Sequence, residues 1–303
     1  MMRPLVKWTG WILAGVVGLV LIVGLVLYGL GQSRLNKSYQ ADPELISIPK
    51  NPGSLSEGKR IFRYRGCEAC HGQELEGVVY LDNPAIGQVI SPNLTSGEGG
   101  IGDERTDLDL IRAIRHGVGP DGTPSLFMPS TEFYFLSEQD LGAIIAYIRS
   151  KPPVDNQPAP SKLSTTGFIV MNLTREITFL PAELIPHDQE PPPAPEPGYS
   201  PQYGEYLALS CPVCHGLGFS GGEIPGFPPE WPAAGNLTPG RGSRLPNWGE
   251  AGFIQIIKNG EKHGRSIHPD YMPWTSYRYM TNLELRAVYA FLTSLPASDF
   301  GNH

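Results

Sequence analysis

Cysteine is scarce, with four in 303 residues. That is too few for the disulfide framework of small secreted domains, and a chain of this length can bury its own core without one. No cysteine directly follows the one long apolar run near the N-terminus, which excludes a lipid-modified cysteine there. Basic residues are outnumbered, 23 Lys and Arg against 30 Asp and Glu, and the formal charge of −7 argues against nucleic acid as a partner. Gly97-Glu98-Gly99-Gly100-Ile101-Gly102 satisfies G-x-G-x-x-G, but no predicted strand precedes it, so it reads as a loop and not as a dinucleotide site. With 36 Gly and 31 Pro, short helices separated by irregular backbone are expected.

All four cysteines fall in two copies of Cys-x-x-Cys-His: Cys67-Glu68-Ala69-Cys70-His71 and Cys211-Pro212-Val213-Cys214-His215. One turn of backbone presents two thiols to the vinyl groups of a haem and places the adjoining imidazole under the iron. Cys67, Cys70, Cys211 and Cys214 are therefore candidate attachment points for two covalently bound haem c groups, with His71 and His215 as proximal iron ligands. A thioredoxin-like pair needs neither the His nor a second copy, and zinc pairs stand much closer together than the 144 residues seen here.

Trp11 to Leu30 form 20 uncharged, mostly apolar positions, long enough as a helix to span a bilayer core and longer than a signal-peptide apolar region. Arg3 and Lys7 before the run balance Arg34 and Lys37 after it, so basic residues do not orient it. Haem attachment does: in bacteria it resembles a dedicated periplasmic process, which implies a single-pass anchor in the inner membrane with the rest of the chain outside.

Laid on each other at that offset, the two motifs bring other blocks into register. Asn93-Leu94-Thr95 meets Asn236-Leu237-Thr238, Ile114-Arg115-His116-Gly117 meets Ile257-Lys258-Asn259-Gly260, and Met128-Pro129 meets Met272-Pro273. A helix is expected before each haem motif, near Ser56 to Tyr64 and Gln202 to Leu209, and another after each methionine. The latter two open at Ser137 and Thr281 and stop at Pro152 and Pro296. Gly117 and Gly260 are expected to cap the helices that precede the methionine loops. Phe62 with Tyr147, and Tyr206 with Phe291, are expected at the helix crossings, where Gly58 and Gly204 permit close approach. Three Asn-x-Thr sequons, at Asn93, Asn172 and Asn236, do not by themselves establish glycosylation; Asn93 and Asn236 recur in the repeat, for which hydrogen bonding beside each haem is the alternative reading.

Met128 lies 57 residues after His71 and Met272 lies 57 after His215, each followed by Pro, which makes them candidate sixth ligands of the two irons. Met171 falls between the halves, and the repeat partner of Met280 is Leu136. His116, His263 and His268 read as exposed imidazoles, and His187 and His303 as linker and terminus.

The order of helix, haem motif, helix, methionine loop and helix resembles the class I c-type cytochrome fold. The segments SPNLT, GIG, RAIRHGVGPDG, MP and LSEQDLGAIIAYIRSKPPV, between Ser91 and Val154, are similar to cytochrome c subunits of membrane-bound bacterial alcohol and gluconate dehydrogenases. The expected architecture is all-α: an N-terminal transmembrane anchor over 1–36, cytochrome c domains over 37–153 and 201–303, and a Pro-rich linker with an apolar packing segment over 154–200. The resemblance implies a non-enzymatic electron carrier on the periplasmic side, serving a membrane dehydrogenase or quinol-oxidising complex and a downstream cytochrome, oxidase or reaction centre. Its implied partners are the lipid bilayer and subunits of a membrane redox complex. A dihaem peroxidase, which needs an open iron site, and a docking or assembly subunit are the alternatives.

Overall fold

In the computed structural model, which describes residues 3–174, 177–227, 230–262 and 264–301, the uncharged N-terminal run is helical. Helix α1 spans Arg3–Leu35, about 50 Å at 1.5 Å per residue. Its segment Trp8–Leu35 is long and apolar enough to cross a membrane. Large side chains along it lie open, among them Leu13 at 65% and Leu25 at 70% exposure.

Helix α2 (Pro52–Tyr64) starts where the Asn51 side chain accepts the Ser54 N–H and Pro52 takes the first turn. The first haem motif forms one helical turn, α3 (Cys67–His71). A hairpin of β1 (Val79–Asn83) and β2 (Gly87–Ile90) follows, turning at Gly87 with φ 117°. Helix α4 (Asp107–His116) begins in a Thr106/Asp109 capping box and ends at Gly117, whose φ of 65° suits a residue without Cβ. The short α5 (Ser130–Phe133) carries the chain to α6 (Glu138–Ser150), capped by the Ser137 side chain.

Between the halves, β3 (Lys162–Leu163) adds to β2, giving an antiparallel sheet in the order β1-β2-β3. Helix α7 (Thr165–Leu173) follows, then a 3₁₀ turn over Pro181–Leu184. The second half runs α8 (Pro201–Leu207), α9 (Pro212–His215), α10 (Leu245–Asn259, interrupted at Gly249), β4 (Glu261–Lys262), β5 (Arg265–Ser266), α11 (Trp274–Tyr277) and α12 (Asn282–Ser294). The all-α expectation is thus corrected, because short strands are present. Val79-Tyr80-Leu81 and Gln88-Val89-Ile90 are β-prone segments joined by an Asn-Pro-Ala-Ile-Gly turn, and sheet pairing satisfies their backbone where helix pairing cannot pass that turn.

Helices α2 and α6 cross at Gly58, where any Cβ would lie 1.9 Å from the Ala143 carbonyl oxygen. Beside it the Phe62 and Tyr147 rings meet edge to face, centroids 5.4 Å apart. Helices α8 and α12 cross in the same manner at Gly204, where a Cβ would lie 2.0 Å from the Ala287 carbonyl oxygen. The aromatic pairing there differs from expectation: Phe219, not Tyr206, meets the Phe291 ring, at 5.3 Å. Tyr206 carries a hydroxyl that the first half satisfies, donating to Asp140 Oδ2 at 2.5 Å and accepting from the Ser137 N–H.

One continuous core joins the two halves. Arg60 of α2 reaches Glu284 of α12 through both terminal nitrogens, at 2.6 and 2.8 Å. Arg65 is 7% exposed, with its guanidinium 5.2 Å from the centroids of both the Tyr64 and Tyr206 rings.

Candidate haem-binding site

A cavity of about 510 Å³ opens between α3, α4 and the loop before α5. Cys67, Cys70, His71 and Met128 all line it, with Phe62, Leu94, Leu110, Ile114, Phe133 and Ile144 supplying apolar walls. Leu35, the last residue of α1, lines it too. In the second half, Cys211, Cys214 and His215 sit in and before α9, and Met272 precedes α11; Cys211 and Met272 pack against the same continuous core as Cys67 and Met128.

The imidazole of each motif is oriented by a backbone carbonyl. His71 Nδ1 lies 3.3 Å from the Pro92 oxygen and His215 Nδ1 lies 2.7 Å from the Gly235 oxygen. An Nδ1–H donating to carbonyl leaves the Nε2 lone pair for a metal. Burial lowers both histidine pKa values, opposed by those carbonyl contacts, so the neutral ligand form is favoured. Burial pushes the Cys67 thiol up to about 12, Cys70 to about 11 and Cys211 to about 12, and raises Cys214 as well. Burial thus favours the protonated thiol at all four positions.

The loop carrying each orienting carbonyl is held by a matched polar knot. Asn93 is fully buried; its Nδ2 donates to the Val154 and Asn156 carbonyls at 2.8 and 3.0 Å, and its Oδ1 accepts from the Thr95 backbone and hydroxyl. Asn236 donates to the Ser298 and Arg241 carbonyls at 2.8 and 3.2 Å, and accepts from the Thr238 backbone and hydroxyl. Val154 N–H donates to Thr95 Oγ1 and Ser298 N–H to Thr238 Oγ1, so the chain leaving α6 and that leaving α12 are tied back alike. The Gly97–Gly102 loop belongs to this knot, since a Cβ on Gly97 would lie 2.2 Å from the Val154 oxygen.

The Met128 loop is braced from the linker. Phe127, at φ 56°, donates its N–H to the Phe179 carbonyl at 3.0 Å and packs ring to ring with Phe179 at 4.9 Å. Met171 and Met280 are buried in core clusters and absent from the cavity lining.

His116 corrects the exposed reading: it is 4% exposed, with Nδ1 3.2 Å from His187 Nδ1. His187 donates Nε2–H to the Ala182 carbonyl at 2.9 Å, so its Nδ1 accepts from His116 Nδ1–H. His116 closes α4, and the linker folding back over that end is what buries it. His268 is exposed beside Asp270, while His263 and His303 lie outside the described residues.

Sequence reasoning missed Arg65. It lines the cavity, and its Nε is buried without a partner among the described residues. Only the fold reveals it, since the matching position is Leu209 and the repeat gives no signal. An apolar cavity with two thiols, one neutral imidazole and one orphaned buried cationic donor fits a tetrapyrrole bearing carboxylates.

Residues 55–152 match the family model for cytochrome c. The chain is 28% identical over 282 residues to a protein of Cereibacter sphaeroides described as "Diheme cytochrome c-type", covering 84% of each. It is 28% identical over 291 residues to "Alcohol dehydrogenase (quinone), cytochrome c subunit" of Komagataeibacter europaeus, covering 86% of this chain and 60% of that subunit. Over 103 residues it is 35% identical to "Gluconate 2-dehydrogenase cytochrome c subunit" of Pantoea cypripedii, covering 32% of this chain and 23% of that one. The chain thus spans about three fifths of the alcohol dehydrogenase subunit's length. Residues 55–152, with Cys67, Cys70 and His71 in the lining of the apolar cavity, are a cytochrome c domain, and that family implies a covalently bound haem c.

Proposed function

We propose that this chain is a membrane-anchored dihaem cytochrome c, an electron-transfer protein that serves a membrane dehydrogenase. Cys67 and Cys70 hold one haem c with His71 and Met128 as axial ligands, and Cys211 and Cys214 hold a second with His215 and Met272. The domains run 37–153 and 201–303, joined by the 154–200 linker, with 1–36 as the anchor. The observation that carries this reading is the duplicated local chemistry: an imidazole on a carbonyl, an Asn-x-Thr knot and a glycine at the helix crossing accompany both motifs.

Haem iron held between imidazole and thioether supplies one-electron transfer with both axial positions filled. The polypeptide fixes the imidazole through Pro92 or Gly235, holds the methionine loop, and excludes water with its apolar walls. Relatives named as cytochrome c subunits of alcohol, fructose and gluconate dehydrogenases support a dehydrogenase as electron donor. The soluble part then lies on the periplasmic side of a bacterial inner membrane and passes electrons to a cytochrome, an oxidase or a reaction centre.

Purified protein should give two haem irons per polypeptide by pyridine haemochrome and iron assay, and its reduced form should not bind carbon monoxide. One iron per chain overturns the dihaem reading, and carbon monoxide binding overturns the closed-ligand reading. Affinity isolation from native membranes should recover a dehydrogenase subunit in fixed ratio.

A further inference from the structure

The segment joining the halves touches the anchor along a stretch that ought to be inside a bilayer. Helix α7 lies across α1 between Gly24 and Arg34. A Cβ on Gly24 would stand 3.9 Å from Ile169 Cδ1, and one on Gly31 only 2.9 Å from the Phe168 carbonyl oxygen. Tyr28 and Phe168 meet edge to face at 5.2 Å. Gly24 is six residues inside Leu30, about 9 Å below the end of the apolar run at helical rise.

From Gly167 to Leu173 the helix carries no charge, and Leu173 is 68% exposed while Ile169 is half-buried. An apolar face of this kind beside an apolar helix forms one surface with it. The polar groups of the junction are consumed internally. Asn172 Nδ2 donates to the Leu27 and Phe168 carbonyls, each at 2.9 Å. Arg34 Nη1 donates to the Met171 carbonyl at 2.6 Å and to Asn172 Oδ1 at 3.0 Å, while its other nitrogens take both Glu183 oxygens. Internal satisfaction of polar atoms is what a water-free environment requires, and an arginine at the rim with its paired carboxylate marks the water boundary.

We propose that α7 is a second membrane-embedded element, lying across α1 in the leaflet next to the haem domains with Ile169 and Leu173 among lipid acyl chains. The proposal rests on reading α1 as a spanning anchor. It commits the occupant of this face to lipid, because the face continues the exposed apolar surface of α1. The linker is then a strap: embedded at α7, tied to the β1–β2 turn where the Ser164 and Thr166 hydroxyls donate to the Ala85 carbonyl, and braced against the Met128 loop at Phe179. With Leu35 lining the cavity, the first haem domain is held against the membrane surface, not swung on a free tether.

Photo-crosslinking the full haem-loaded chain tests this without any substitution. The protein is reconstituted in phosphatidylcholine vesicles, a fraction of whose lipids carry a diazirine on the acyl chain, then irradiated and mapped by peptide mass spectrometry. Lipid adducts are expected on α1 between Trp11 and Leu30 and also on the peptide bearing Ile169 and Leu173. Adducts on α1 with none on α7 overturn the proposal and leave the anchor standing; absence from both overturns the anchor reading with it. In native membranes supplied with the same diazirine lipid, α7 should again carry lipid adducts beside those on α1; labelling of α1 but not α7 there, with both labelled in the vesicles, would mean that a partner polypeptide covers the face and would overturn the assignment of lipid.

Discussion

The two halves are alike where they orient an imidazole and unlike where they hold a methionine. Around His71 and His215 the same carbonyl contact, Asn-x-Thr knot and glycine crossing recur almost residue for residue. The Met128 loop is enclosed by the linker through Phe127–Phe179, by the Tyr134 hydroxyl donating to the Gln189 carbonyl, and by the His116–His187 pair. The Met272 loop has Trp274 against Gly260 and the Tyr271 ring against Trp231, both contacts within its own half. The surroundings of each motif imidazole are therefore built from local contacts that both halves share. Those of each methionine loop are built from whatever each half has for a neighbour.

The largest test removes one half's chemistry at a time. Replacing Cys67 and Cys70 by Ala, or Cys211 and Cys214 by Ala, should each halve the covalent haem measured by pyridine haemochrome; loss of all haem from either double variant would show that the halves mature together. The next strikes the linker brace on the first half. Phe179→Ala removes a side chain 2% exposed and should cost about 3–5 kcal/mol in denaturant unfolding, with carbon monoxide gaining access to the first haem and not the second.

pH sharpens the contrast further. Burial, and then His187, lower His116 from 6.5 to about 4, so the unfolded chain binds a proton in that interval that the folded chain refuses. Stability from this group is complete above pH 6.5 and is lost as pH falls toward 4, by up to about 3 kcal/mol, and His116→Leu should flatten that part of the profile. The smallest effect tests the seam between the halves. Arg65→Leu installs the residue type found at the matching Leu209 and deletes the bond to the Tyr206 carbonyl. It should cost about 1.5–3 kcal/mol and lower the midpoint potential of the first haem, because a buried positive charge that opposes oxidation is gone.

Much of the helical frame was legible in advance. Ser137 and Thr281 cap the helices they were expected to open, Gly117 and Gly260 take left-handed conformations at helix ends, and Gly58 and Gly204 sit at the crossings, because caps and close approaches depend on local residue chemistry. The β-hairpin was missed because its two strands are short and partly exposed, so neither shows a strong alternating pattern. Tyr206 was placed against Phe291 by analogy with Phe62, and one hydroxyl oxygen redirected it to Asp140.

The sequence by itself determined where thiols, imidazoles and thioethers stand along the chain and that one apolar run can span a bilayer, since covalent spacing and hydropathy are properties of neighbouring residues. Tertiary structure alone decided that Arg65 lies buried beside the cavity, that His116 is sealed by His187, and that α7 lies against the anchor. Those contacts join residues 71 to 145 positions apart, and burial or pairing over such separations arises only when the folded chain closes on itself.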